Sequence, residues 1–354
     1  LGFIALTQEH CSCGQSEGHF DFLEKLQLVA EKQGDQMKSW MFEKLNSAAA
    51  VTMLLTFLAS CAPESKDLPT YQNQSTTENS AIVGGVNATL DYQKANGIVG
   101  LTILMEDKFG QQGTATCTGT LIARNIVLTA AHCIAEDGIK AIAVIFATDD
   151  SKVTKDEVRY AVDGTIHQDF LKGVDQSSNT DTTAWNDLAI LKLSADAPVE
   201  FKTARLPASI NDVNLLPKSK VTLSGFGITN AVVRRVVKDK KGNQRILELP
   251  SSGSGVLRKI DGILVKQMSA DKKEIILDQS KSKGACHGDS GGPAFVQTAD
   301  GSTMQVGVTS RGTNKLGNCD ESAIYTNVAA HLPWIAEASA KLVAKSTATQ
   351  VATK

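Results

Sequence analysis

The sequence predicts a β-rich fold of the sandwich or barrel type, finished by one C-terminal helix. Three observations carry that prediction. Short apolar runs recur at residues 98–104, 120–127, 141–146, 188–193, 220–223 and 305–308, and each is bounded by Gly, Asn, Asp or Pro. Their spacing suits a sandwich or barrel better than alternating strand–helix units. After Pro333 the pattern changes, because Leu332, Ile335, Ala338, Leu342 and Val343 recur at helical intervals.

The chain before this body reads as address and brake. Met37 or Met41 opens a short flank with Lys44, followed by an apolar run over 48–59. A run of about 12 residues is too short to cross a bilayer, which takes roughly 20, and has the length of a signal-peptide core. Its end, Leu58-Ala59-Ser60-Cys61, resembles a bacterial lipobox, which makes Cys61 the expected lipidation site within a signal segment 37–61. An ordinary signal peptide with an incidental cysteine is the plainer alternative. Residues 1–36 lie upstream of those methionines and are read as outside the natural product. Residues 62–81 are rich in Ser, Thr, Asn, Gln and Glu, with almost nothing to bury, and read as a flexible propeptide. Residues 82–354 then form one continuous unit.

Composition excludes some functions. The formal charge of -2 comes from 36 basic and 38 acidic residues spread along the length, so no footprint for nucleic acid is present. The acidic stretch 149–157 matches no tight calcium loop, and His10, Cys11, Cys13 and His19 have irregular spacing, so no metal is expected. Of seven cysteines, Cys117, Cys133, Cys286 and Cys319 lie in the body, enough for two disulfides. A secretion signal favours bridges over thiolates there.

Gly288-Asp289-Ser290-Gly291-Gly292-Pro293 sets a serine in a glycine-dense turn, where the backbone can approach a substrate carbonyl and point N–H groups at it. Together with Thr129-Ala130-Ala131-His132-Cys133, Asp187-Leu188-Ala189-Ile190-Leu191 and Ile82-Val83-Gly84-Gly85, this turn resembles the trypsin and chymotrypsin family of serine endopeptidases. The resemblance runs over residues 82–345 and implies two six-stranded antiparallel β-barrels with a C-terminal α-helix. It implies Ser290 as nucleophile, His132 as base, Asp187 as the group orienting that base, and the N–H groups of Gly288 and Ser290 as an oxyanion hole. It further implies bridges Cys117–Cys133 and Cys286–Cys319, and no cofactor. Activation would follow cleavage between Ala81 and Ile82, when the freed amine pairs with Asp289. The cut after Ala points away from a trypsin-like activator, leaving a separate protease or the enzyme itself.

The resemblance places Gly284 at the base of the specificity pocket, with Gly312 and Ala323 as its walls. No aspartate stands at the base, so a non-tryptic preference for small or medium apolar residues is expected. Arg311 stands where the family usually has tryptophan, and a cation there favours acidic residues nearby. Residues 227–255 form a long basic loop, read as solvated and mobile. Expected partners are protein or peptide substrates and an activating protease. The protein is expected to be a monomer, secreted or in the cell envelope, meeting membrane only through a lipid on Cys61. The alternative is a non-catalytic protease-like adaptor lipoprotein.

Overall fold

The computed structural model describes residues 82–170, 185–212 and 214–352. The segments 1–36, 37–61 with Cys61, and 62–81 lie outside the described residues.

After the short strand β1 (Val86–Asn87), strands β2 to β7 (Ala189–Leu193) supply the first barrel. A seven-residue helix, α1 (Leu90–Asn96), precedes it, capped by the Thr89 hydroxyl and stopped by Gly97 at φ 62°. A Cβ on Gly97 would lie 2.6 Å from the Lys202 carbonyl oxygen, so glycine is required twice over. Then β2 (Ile98–Glu106), β3 (Gln112–Ala123), β4 (Ile126–Thr129), β5 (Ile139–Ile145), β6 (Val158–Ile166) and β7 close in the order β2-β3-β4-β7-β6-β5. The apolar run at 120–127 straddles the β3–β4 turn, because Arg124 and Asn125 reverse the chain. Val99, Leu121, Ile126, Leu128, Ile145, Ile190 and Leu191 are fully buried at the centre of this barrel.

The second barrel uses β8 (Lys220–Gly225), β11 (Arg258–Met268), β12 (Glu274–Asp278), β13 (Pro293–Gln297), β14 (Thr303–Gly312) and β15 (Ser322–Asn327). They run β11-β12-β15-β14-β13-β8, the ring closes where β11 also pairs β8, and β1 adds to the outer edge of β11. Leu223, Val265, Leu277, Ala294, Val306 and Tyr325 form its core. The two-barrel fold with a C-terminal helix is therefore present.

Residues 227–255, read as a mobile loop, instead carry a hairpin of β9 (Arg234–Lys238) and β10 (Gln244–Glu248). Asp239 makes the turn regular by accepting the N–H groups of Lys241 and Asn243. Helix α2 (Leu332–Ala352) lies on the first barrel through Ile335, Ala338 and Leu342. Val343 does not join that face, being 46% exposed.

Candidate active site

Strand register brings the first two residues together. β4 and β7 pair from Ile126↔Lys192 to Thr129↔Ala189, so the chain leaving β4 and the chain entering β7 share one barrel end. Past β4, Ala131–Cys133 make a single 3-10 turn that carries His132. Before β7, Asn186 adopts φ 48°, a left-handed conformation asparagine tolerates, and it precedes the fully buried Asp187. Buried His331 on the approach to α2 places Nε2 3.1 Å from Asn186 Oδ1, and Lys273 donates to the same oxygen at 3.3 Å.

His132 donates its backbone N–H to Asp187 Oδ1 at 3.0 Å, and its ring Nδ1 lies 2.7 Å from Oδ2. A carboxylate only accepts, so Nδ1 carries the proton and Nε2 is left unprotonated. The Ser310 hydroxyl donates to the same Oδ2 at 2.7 Å. Burial alone would raise the Asp187 carboxyl, but the charge and hydrogen bond of His132, with Ser310, hold it below the usual carboxylate range. Burial alone would lower the His132 imidazole, but the Asp187 charge and hydrogen bond raise it above the ordinary histidine value.

Ser290 comes from the second barrel, in the turn before β13. The Ser290 carbonyl accepts from Thr118 N–H at 2.8 Å, and Thr118 Oγ1 donates to the Gly288 carbonyl at 3.0 Å, so β3 of the first barrel clamps the turn. A Cβ on Gly291 would stand 2.1 Å from Thr129 Oγ1, which is why the barrels meet closely only over glycine. Cys133 Sγ lies 3.7 Å from the Ser290 carbonyl oxygen and 3.9 Å from His132 Nε2, so the free ring nitrogen and the serine turn flank the same sulfur. Among the described residues the half-buried Ser290 hydroxyl makes no hydrogen bond of its own. A hydrogen bond between a hydroxyl and an imidazole in an empty site is often long or poorly aligned until a ligand binds.

The turn also exposes two donors. The N–H groups of Asp289, Gly291 and Gly292 are spent on Cys286, Thr309 and Asp289 carbonyls, whereas those of Gly288 and Ser290 donate to nothing among the described residues. Asp289 is fully buried, and its two oxygens accept the N–H groups of Gly227 and Cys286, each at 2.8 Å. Burial pushes its carboxyl up to about 7, although those bonds and the Arg258 charge act downward. Ile82 is fully buried at φ 45°, and Val83 exchanges backbone bonds with Gly284, five positions before Asp289.

At Gly284 the structure adds a residue that the sequence reading missed. A Cβ there would lie 2.3 Å from Oε1 of buried Gln279, whose side chain bonds the backbone of Ala285 on both sides. Gly312 pairs Ala323; a Cβ at the former would stand 3.8 Å from the Asn318 and Ser322 carbonyl oxygens, and the latter is a buried methyl. The disulfides Cys117–Cys133 and Cys286–Cys319 brace the histidine turn and this region. As disulfides they offer no thiolates to a metal.

Arg311 corrects another expectation. Instead of meeting substrate, its guanidinium makes a two-pronged pair with Glu274, at 2.8 and 3.1 Å, with side chains only 7% and 6% exposed. It also lies 4.3 Å over the Trp185 ring, so its charge is consumed inside the protein. In the acidic stretch, Asp149 and Glu157 are engaged as caps of local turns. Ser310, like Gln279, was missed; its only local signal is its place directly before Arg311 and Gly312.

The family model described as Trypsin matches residues 101–335. Chymotrypsin of Phaedon cochleariae is 28% identical over 227 residues, covering 62% of this chain and 71% of that protein. Chymotrypsin-C of Rattus norvegicus is 30% identical over 232 residues, covering 63% and 77%. The solved structure of HL collagenase shares the fold, with a TM-score of 0.54 at 20% identity, over 73% of this chain and 99% of that one. With a family match across most of a two-barrel chain, this protein belongs to the trypsin family and is a serine-type endopeptidase.

Proposed function

We propose that the enzyme cleaves peptide bonds through an acyl-enzyme on Ser290, from a precursor activated by cutting between Ala81 and Ile82, with a preference for small or medium apolar residues. The observation that carries this reading is the chain Ser310–Asp187–His132 ending beside a turn with two unspent N–H groups. Ser290 Oγ attacks the scissile carbonyl while His132 Nε2 takes its proton. His132 then returns that proton to the leaving amine, and water repeats the sequence to free the acid. The N–H groups of Gly288 and Ser290 hold the oxyanion.

Activation rests on Asp289. A buried carboxylate with no cation in contact is costly, and the raised carboxyl of Asp289 reflects its burial even with the Arg258 charge acting downward. A freed α-amine at residue 82 would supply the cation and order the Gly288 turn. The φ of 45° at the β-branched Ile82 supports the cut. Cleavage removes the carbonyl carbon that defines this torsion, releasing strain on the order of 1–3 kcal/mol. The specificity reading rests on Gly284 over Gln279 and on the Ala323 methyl. Secretion is proposed from the two bridges, which suit an oxidising compartment.

The test is labelling with a serine-directed phosphonate. Chain cut at residue 82 should incorporate one label, on Ser290, and uncut chain far less. Cut chain that takes up none would leave the adaptor reading instead.

A further inference from the structure

The hairpin β9–β10 has no role in the chemistry above, yet it is built onto the site. Asn318 Oδ1 accepts the N–H groups of Val233 and Arg234 at 2.9 Å, and Asn318 Nδ2 donates to the Arg234 carbonyl at 3.0 Å. The neighbouring Cys319 N–H donates to the Ala231 carbonyl, and Ile228 N–H to the His287 carbonyl. The base of the hairpin is thus fastened to both ends of the Cys286–Cys319 bridge. Beyond its base nearly all of the hairpin's residues are exposed, although two strands alone are marginal in water.

Its surface is unlike the rest of the protein. Between 234 and 248 stand six cations, Arg234, Arg235, Lys238, Lys240, Lys241 and Arg245, against Asp239 and Glu248, in a chain whose formal charge is -2. Arg234 is paired with Glu248, whereas Arg235, Lys238, Lys240 and Lys241 are exposed and form no salt bridge among the described residues. The register sets Val236 opposite Ile246 on one face and Arg235 opposite Leu247 on the other. Val236, Ile246 and Leu247 are 49%, 58% and 42% exposed. Apolar and cationic side chains therefore alternate on a sheet with two free edges.

We propose that this hairpin is a docking surface for an extended, acidic stretch of the polypeptide substrate, one that alternates carboxylates with apolar residues. The assignment rests on the endopeptidase reading above, because the same substrate chain must reach the serine turn. Charge complementarity selects carboxylates, and the exposed Val236, Ile246 and Leu247 favour a peptide over a sugar polyanion, which would use the cations alone.

The test compares two peptides sharing one scissile segment, with flanking tails of alternating Glu and Leu or of Ser. At low salt the Glu-Leu peptide should show about tenfold higher kcat/KM, and 0.5 M salt should erase the difference. Replacing Arg235, Lys238, Lys240 and Lys241 by Ser should remove the advantage and leave the Ser-tailed peptide unaffected. No advantage in the unaltered enzyme, or one that survives the four replacements, overturns the proposal. If neither peptide is cut, the catalytic reading fails separately. Anisotropy of the labelled Glu-Leu peptide on Ser290→Ala protein then decides the hairpin, with weakened binding expected in V236S/I246S. Unchanged binding in that variant, with tighter binding of a sulfated polysaccharide, also overturns it.

Discussion

At the scale of single residues, the site depends on which atom holds which proton. Asp187 accepts from the ring and backbone of His132 and from Ser310, so the three partners should contribute unequally. Asp187→Asn presents a donor to Nδ1, forces the wrong tautomer, and should lower kcat by about ten thousandfold with little change in KM. Ser310→Ala removes one hydrogen bond of several and should lower kcat by about tenfold, accompanied by a shifted acidic limb of the pH–rate profile. At the pocket, Gly284→Asp cannot simply install a trypsin-like base. Its Cβ would collide with Gln279, and the φ of 140° disfavours any side chain. The expected outcome is a lowered unfolding midpoint and no gain in cleavage after Lys or Arg, read from thermal melts and peptide profiling. The motifs around His132, Asp187 and Ser290 were legible because each is contiguous in the chain. Ser310, Gln279 and His331 were not, because their partners lie 123, 6 and 145 positions away and no local pattern links them.

At the scale of elements, Glu274 on β12 reaches across β15 to Arg311 on β14, and also accepts the N–H of Trp185 at 3.1 Å. Trp185 leads into Asp187 and β7, so this ion pair ties the second barrel to the segment that presents Asp187. Arg311→Met strands a buried carboxylate and should cost about 3–5 kcal/mol in denaturant unfolding. The double change E274L/R311M should recover much of that loss, since no unpaired charge remains. Strands β2–β5, β7, β8 and β14 were readable as apolar runs, but the other strands, among them the β9–β10 hairpin, and α1 were not. The hairpin is polar and exposed, and α1 is only seven residues long, so neither leaves the burial pattern from which elements are read.

At the scale of the whole molecule, the proposed activation predicts that pH should separate the uncut from the cut chain. With the Asp289 carboxyl raised to about 7, the uncut folded chain holds a proton that the unfolded chain releases near 4. That group therefore stabilises the uncut fold below about pH 4 and loses its contribution as pH rises to 7. In the cut chain an ammonium partner would lower the same carboxyl and reverse the trend. The unfolding free energy of cut minus uncut protein should therefore grow between pH 5 and 8, measured by parallel urea titrations. His167 acts alike in both forms, because burial and the nearby His331 lower its imidazole to about 4. Its share is full above pH 6.5 and is lost as pH falls towards 4, so it cancels in the difference.

The sequence by itself determined the family, the strand-rich architecture and the order of the three reactive segments. Those properties live in contiguous stretches and in the alternation of apolar with turn residues, which the chain carries before it folds. Only the tertiary structure decided that Arg311 is spent on Glu274, that Gln279 fills the space at Gly284, and that the basic stretch stands as a hairpin beside the Cys286–Cys319 bridge. Each of those outcomes is a competition between side chains for one buried volume or one charge. Distance along the chain does not set which partner wins; closure of the two barrels does.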